Sequence, residues 1–268
     1  MPWGRLFDNP LFTFTSDQDW TPAWAADDLL SHLRKAQIPV HVFRTNLCPV
    51  FDAAAETGEI TQGWHPNFLP GSSHGRQTSE VIDYMRANFP RCRTVRSHTF
   101  FENSAAWQAL ASAGIVADSQ VATLYQENLV PLLHWSGLLR FPVYFMDDVF
   151  FLHEAPSLSL GALQNTLFTP GLKILNVHAT YFACNVPSQA YYEEIRGRIF
   201  NADSKDEGLS WTGRGTANVV EELIQRIHSG GYSFVGFETL VDMAFAYIEE
   251  NAADFPASFG TRSDGASS

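Results

Sequence analysis

The chain has 268 residues, of which 45% are hydrophobic and 17% charged, with a formal net charge of −12. That balance excludes a disordered chain, and the acidic surplus without any basic run argues against a nucleic-acid partner, whose phosphates are bound by Lys and Arg. The cysteines, Cys48, Cys92 and Cys184, are odd in number and widely spaced, which leaves no disulfide framework and no Cys-rich zinc knuckle.

In chain order, β-like runs are predicted at 12–16, 39–43, 60–65, 94–98, 114–118, 141–147, 173–178 and 232–236. Helical stretches separate them. Thr21-Pro22 reads as a cap and first-turn proline opening a helix toward Lys35, Asn103 caps 104–113 ahead of Gly114, Ser188 opens 189–200, and 218–229 runs to Gly230-Gly231. This alternation predicts an α/β fold of parallel strands joined by crossover helices. The expected architecture is a single-domain distorted (β/α) barrel of about seven parallel strands over 1–259. A Gly- and Ser-rich flexible tail is expected at 260–268. The N-terminus lacks the pattern of a secretory signal and no stretch of about 18 apolar residues is present, so the expectation is a soluble cytoplasmic protein.

In such a barrel, residues at the C-terminal ends of strands face the active-site mouth, which singles out Asp17, His65, His98, Asp118, Asp147 and His178. Asp17 and Asp19 in TSDQDW share a face if the chain stays extended, whereas a turn gives them separate roles. One carboxylate can bind a metal while the other takes a proton from water; Asp19 can equally cap the following helix. His65 and His74 bracket a loop stiffened by Pro66 and Pro70. Two imidazoles and a carboxylate suit zinc or a similar divalent ion with positions left open, a donor set also used by non-haem iron oxygenases. Alternating βα units do not match the double-stranded β-helix of that chemistry. Trp20, Trp64 and Trp135 either line a sugar site or fill the core.

Several of these segments resemble the polysaccharide deacetylase, or NodB-homology, family. TSDQD resembles its Thr-Phe-Asp-Asp motif; 60–65 (ITQGWH) is similar to the start of its histidine-pair motif. TVRSH at 94–98 resembles the third motif, and LNVH at 175–178 its late Leu-x-x-His motif. HPNFLPGSSHG with RSH is similar to a divergent subgroup typified by WbmS, whose setting is O-antigen biosynthesis. The resemblance implies Asp17 as catalytic base, Asp19, His65 and His74 as ligands of zinc or another divalent ion, and Arg96 orienting the base. His178 is then the general acid, tuned by Asp147 or Asp148, and Trp64, Asn67 and His98 are substrate-binding candidates. His98 is also open as a support for Asp17 or as a ligand in place of His74. The implied reaction is removal of an N-acetyl group from an acetamido sugar, free or carrier-linked; the alternative is a non-catalytic carbohydrate-binding protein with a degenerate deacetylase fold. Two departures stand out: Gln18 occupies the place of the motif's second Asp, and His65 and His74 are nine positions apart rather than four.

Overall fold

A computed structural model describes residues 3–154, 157–161 and 163–260. The first half contains β1 (Pro10–Asp17), α1 (Ala23–Lys35), β2 (Val40–Arg44), α2 (Pro49–Glu56), β3 (Ile60–Trp64), α3 (Thr78–Asn88), β4 (Thr94–Val95), α4 (Ser104–Ser112) and β5 (Ala117–Asp118). The short pair β6 (Leu132–Leu133) and β7 (Leu139–Arg140) precedes β8 (Val143–Met146), α5 (Asp147–Glu154), α6 (Leu163–Thr166) and β9 (Gly171–Asn176). Helices α7 (Ala179–Ala183), α8 (Gln189–Asn201), α9 (Thr216–Ser229), α10 (Phe237–Glu250) and α11 (Ala257–Gly260) complete the order.

The strands form one sheet in the order β6-β7-β5-β4-β3-β2-β1-β9-β8, parallel throughout except for the β6–β7 pair. A flat sheet would hold β1 and β4 about 14 Å apart, three strand spacings. Arg96, at the end of β4, nevertheless bonds to Thr15 and Asp17 on β1, so the sheet curls with the face of Thr15 and Asp17 turned inward. The curl brings the far ends together. β7 pairs with β5 and leads within three residues into β8, where the Val143 N–H donates to Val121 O (2.8 Å) and Thr123 N–H to Val143 O (3.0 Å). The expected distorted (β/α) barrel is thus observed. Counting β7 and β8 as one stretch, seven parallel staves surround the interior.

Local chemistry explains the helix boundaries. The Asn103 side chain accepts from the Ala106 N–H (2.8 Å) to open α4, and Ser188 does the same for Tyr191 (3.3 Å) at α8. The apolar stripe of α9, with Val219, Leu223 and Ile227, is buried. Two expectations need correction. Pro22 sits at the cap of α1 rather than inside it, and Thr21 supplies no capping bond. The run at 232–236 is not a sheet strand; among the described residues its one backbone bridge to β1 is Phe12 to Phe234, before α10 begins. The predicted tail lies outside the described residues from 261 onward, and Gly260 closes α11.

Two apolar clusters fill the fold. The larger wraps β1, β2, β8 and β9 and the helices packed on them, with Phe12 and Phe14 fully buried. The smaller gathers Trp64, Met85, Phe89, Trp107 and Leu110 between β3, β4, α3 and α4. Phe14→Ala is expected to destabilise by ~3–5 kcal/mol in urea unfolding through the cavity it leaves. Leu152→Ala, on the exposed side of α5 where the side chain is 73% accessible, should stay within about 0.5 kcal/mol.

Candidate metal and catalytic site

The C-terminal strand ends meet in one cleft of about 550 Å³, the size range of small-ligand sites. At its floor Asp17, closing β1, is buried. Its Oδ1 accepts from Arg96 Nη1 (2.8 Å) and its Oδ2 from Asn176 Nδ2 (3.0 Å). Burial by itself raises the carboxyl pKa, but Arg96 and the imidazoles of His65 and His178 outweigh it, so the group stays ionised below the ordinary range. Arg96 is itself held by Asn176 Oδ1 (2.5 Å), Thr15 Oγ1 (3.1 Å) and the Ser119 carbonyl (2.5 Å), and lies over the Phe43 ring at 4.4 Å.

Beyond Asp17 the chain turns sharply. Asp19 and Trp20 adopt left-handed backbone, φ 43° and 57°, a conformation Asp tolerates better than most residues and a tryptophan holds only under strain. The turn sends Gln18 away from the cleft, where its Oε1 accepts from Arg44 Nε (2.9 Å) and its Nε2 donates to Asn46 Oδ1 (3.2 Å). Arg44 is fully buried and anchored by Asp52 at 2.6 Å. Asp19, by contrast, faces the cleft. Its Oδ1 lies 3.0 Å from His65 Nε2 and 2.7 Å from His98 Nδ1, and its Oδ2 is 3.2 Å from His178 Nε2. Burial would raise the Asp19 pKa, yet its bonds to His178, His65 and His98 hold it well below the usual carboxylate range. Asp19, His65 and His98 each offer one ligand atom, all within 4.8 Å of one another. An anionic oxygen and two imidazole nitrogens converging on one point are a donor set that fits a divalent ion such as zinc. His65 Nδ1, buried without a hydrogen-bond partner, lies 3.8 Å from Asp17 Oδ1 and brings the two carboxylate sites into contact.

On the opposite side, His178 follows β9. Its Nδ1 is 2.7 Å from Asp147 Oδ1, and its backbone N–H donates to Asp147 Oδ2 (2.8 Å), so Asp147 grips both ring and main chain. Burial disfavours the imidazolium, but the charge and hydrogen bond of Asp147, with Asp19 adding to them, hold the pKa well above that of an ordinary histidine. Asp147 rather than Asp148 is the partner. Asp148 lines the cleft, its pKa raised by burial.

Four expected residues sit elsewhere. Asp118 does not line the cleft: it is fully buried against Arg140 Nε (3.1 Å), and burial raises its pKa to about 7. His74 does not join the ligand cluster: its Nδ1 accepts from the Asn67 N–H (3.0 Å), its ring stacks on Tyr84 at 4.4 Å, and burial pulls its pKa down to about 4. The nine-residue spacing lets the 66–74 loop fold back so that His74 Nδ1 meets Asn67, and His98 rather than His74 has a nitrogen against Asp19; His74 Nε2 is buried without a hydrogen-bond partner among the described residues. Trp64 is 2% exposed in the smaller core, its indole N–H bonded to the Phe89 carbonyl (2.8 Å), because the outward side of β3 packs on α3 and α4. The Asn67 side chain closes a local turn on the Leu69 N–H (3.0 Å) and does not line the cleft. Of the other tryptophans, Trp20 lines the cleft and Trp135 stands 62% exposed beside β6 and β7. Sequence reasoning missed Asn176, although it lies inside the LNVH segment, and the wall supplied by Tyr181, Tyr192 and Arg196, for which no local motif exists.

The profile of the WbmS-like family, described as polysaccharide deacetylases, matches residues 14–196. The chain belongs to this family. Every catalytic and ligand candidate named above falls inside the matched span. Among solved structures, WbmS from Bordetella bronchiseptica, described as a polysaccharide deacetylase involved in O-antigen biosynthesis, superposes with a TM-score of 0.71 at 21% identity, covering 82% of this chain and 91% of that one. That likeness supports the barrel fold of this WbmS-like chain. The peptidoglycan deacetylase PdaC of Bacillus subtilis, in its D285S form, aligns at 13% identity and TM-score 0.48 over 92% of this chain and 96% of its own. No curated protein matches the chain in sequence. Among the described residues, no helix is long and apolar enough to cross a membrane.

The turn makes a specific demand on positions 18 and 19. Asp19→Asn should weaken binding of zinc or cobalt, measured by calorimetry, by at least the roughly 10–100-fold seen when supporting residues of metal sites are lost. Adding Gln18→Asp to that variant should not restore affinity, because a side chain at 18 points at Arg44; full recovery would show that position 18 reaches the ion.

Proposed function

We propose that this protein is a metal-dependent carbohydrate N-deacetylase that removes the acetyl group from an acetamido sugar used in surface polysaccharide biosynthesis. The observation that carries this reading is the convergence in one cleft of three distinct devices. These are an ionised carboxylate fixed by a buried arginine, a carboxylate–imidazole cluster that fits a divalent ion, and an imidazolium held by its own carboxylate. Family membership supplies the reaction class.

Asp19, His65 and His98 would hold the ion, which when bound supplies Lewis acidity toward the acetyl carbonyl and toward water. Zinc suits this donor set. Asp17 accepts the proton of the attacking water; Arg96 and Asn176 fix its two oxygens so that it is ionised and aimed before substrate arrives. As the carbonyl carbon gains its new C–O bond and the C–N bond breaks, His178 gives its proton to the departing nitrogen, so an amine and acetate leave. Asp147 keeps His178 protonated and oriented for that transfer. The two carboxylates near the ion thus have opposite duties, one toward the ion and one toward the proton.

Metal-replete protein is expected to release acetate from N-acetylated sugars, with activity lost on chelation and reduced about 10²–10⁴-fold in Asp17→Asn that still binds metal. A metal-replete protein that releases none across a broad panel contradicts the reading. The pH dependence follows from His178. Its pKa is raised, so the acid form persists at neutral pH and activity falls as pH rises through that value. Asp147→Asn removes the charge that raises it, and the alkaline limb of kcat/KM should move to lower pH; an unmoved limb would assign the proton to another group.

A further inference from the structure

We infer that the outer wall of this cleft is an anion subsite in which Arg196 binds a carboxylate or phosphate carried by the sugar substrate. The inference rests on the deacetylase reading for the acetamido end of the substrate and extends it to the substrate's charge. The wall is one face of α8, where Gln189, Tyr192, Glu193, Arg196 and Phe200 recur at helical spacing and line the cleft. Among the described residues Arg196 is the only lysine or arginine lining the cleft.

What distinguishes Arg196 is how its neighbours are already engaged. Glu193, one turn away, accepts from Gln189 Nε2 (2.6 Å), and Gln189 in turn accepts from the Tyr181 hydroxyl (3.0 Å), so the nearest acid on that face is tied into the aromatic wall. Arg198, two residues on, is paired with Asp206 at 2.7 Å outside the cleft. Among the described residues Arg196 has neither an ion pair nor a hydrogen bond, and it is exposed. Its guanidinium is free to present paired N–H donors, the geometry that matches carboxylate and phosphate.

The rest of the wall suits a sugar. Tyr181 and Tyr192 stack at 4.4 Å, Trp20 lines the same cleft, and Phe200 is 39% exposed beside Arg196 at one further turn of the helix. Such faces take the apolar side of a pyranose ring. Charge sharpens the argument: a protein of net −12 repels anions at long range, and the cleft lining adds Asp148 and Glu193, while Asp17 is matched by Arg96. A lone unpaired cation at the mouth is what lets an anionic sugar enter such a site, and a neutral sugar has no use for it.

The test compares N-acetylglucosamine, N-acetylglucosamine 1-phosphate and an N-acetylated hexosaminuronic acid as ligands of the metal-loaded protein, by calorimetry. Wild type is expected to bind at least one of the two anionic sugars about tenfold or more tightly than the neutral one, with affinity falling as salt rises. Phosphate and carboxylate arms tell a linked phosphate from an acidic ring. Arg196→Ala should erase most of that preference and Arg196→Glu reverse it, while Arg196→Lys keeps part. Where turnover is seen, the loss should sit in KM rather than kcat. Equal binding of all three sugars by wild type, or a preference that survives in Arg196→Glu, overturns the proposal. Because binding is read directly, the anion subsite can fail while acetate release stands, and it can hold where acetate release fails.

Discussion

The site depends on one buried ion pair that crosses the barrel. Arg96 comes from the end of β4 and Asp17 from the end of β1, three strand spacings away around the sheet, yet they meet at 2.8 Å with neither side chain more than 3% exposed. Taking such a pair out of water is costly, and it is tolerated only where every remaining donor finds an acceptor. Each Arg96 nitrogen has a partner: Nε reaches the Ser119 carbonyl, Nη1 reaches Thr15 and Asn176 besides Asp17, Nη2 reaches the Ser119 hydroxyl, and the plane rests on Phe43. The guanidinium therefore ties β1, β4, β9 and the segment after β5 together at one level. Removing it would strand an ionised carboxylate, a loss of ~3–5 kcal/mol in comparable buried pairs, and would release the geometry of the base at the same time.

The second constraint is the turn that follows. Asp17 and Asp19 would share a face on an extended chain; the left-handed backbone at Asp19 and Trp20 breaks that alternation. Asp17 is left against Arg96 and Asp19 swings among three imidazoles, while Gln18 is drawn the other way by Arg44. Two chemically identical acids are thereby given different surroundings, which in the proposed mechanism become a duty toward a proton and a duty toward an ion. Gln18, the residue between the carboxylates, thus has structural partners in Arg44 and Asn46 and does not face the cleft.

Much of this was legible in the chain. Alternating βα punctuation pointed to the barrel, and the rule that strand ends face the mouth selected Asp17, His65, His98, Asp147 and His178, but also Asp118, which is buried against Arg140 outside the cleft. Short cap residues at Asn103 and Ser188 carry their own hydrogen-bonding logic and were readable locally. What escaped reading has physical causes. A tryptophan beside a strand end looks the same whether it faces sugar or core, so the sequence leaves both open for Trp20, which lines the cleft, and for Trp64, which fills the smaller core. Spacing says nothing about how a loop with two prolines folds, so the stacking of His74 on Tyr84, away from contact with Asp19, was not readable from the sequence. The run at 232–236 has strand-like residues but, among the described residues, one backbone bridge to β1, because β2 and β9 already flank that strand. The α8 wall is assembled from a helix far along the chain, and no motif near the strand ends announces it.

The most direct test of the account is a crystal structure of the zinc- or cobalt-loaded protein with anomalous data at the metal edge. The account predicts one ion within about 2.0–2.2 Å of Asp19, His65 and His98, with Asp17 and His178 on either side of its open positions. An ion coordinated by His74 or Asp17 in place of His98 or Asp19, or bound at a different place in the fold, would contradict it.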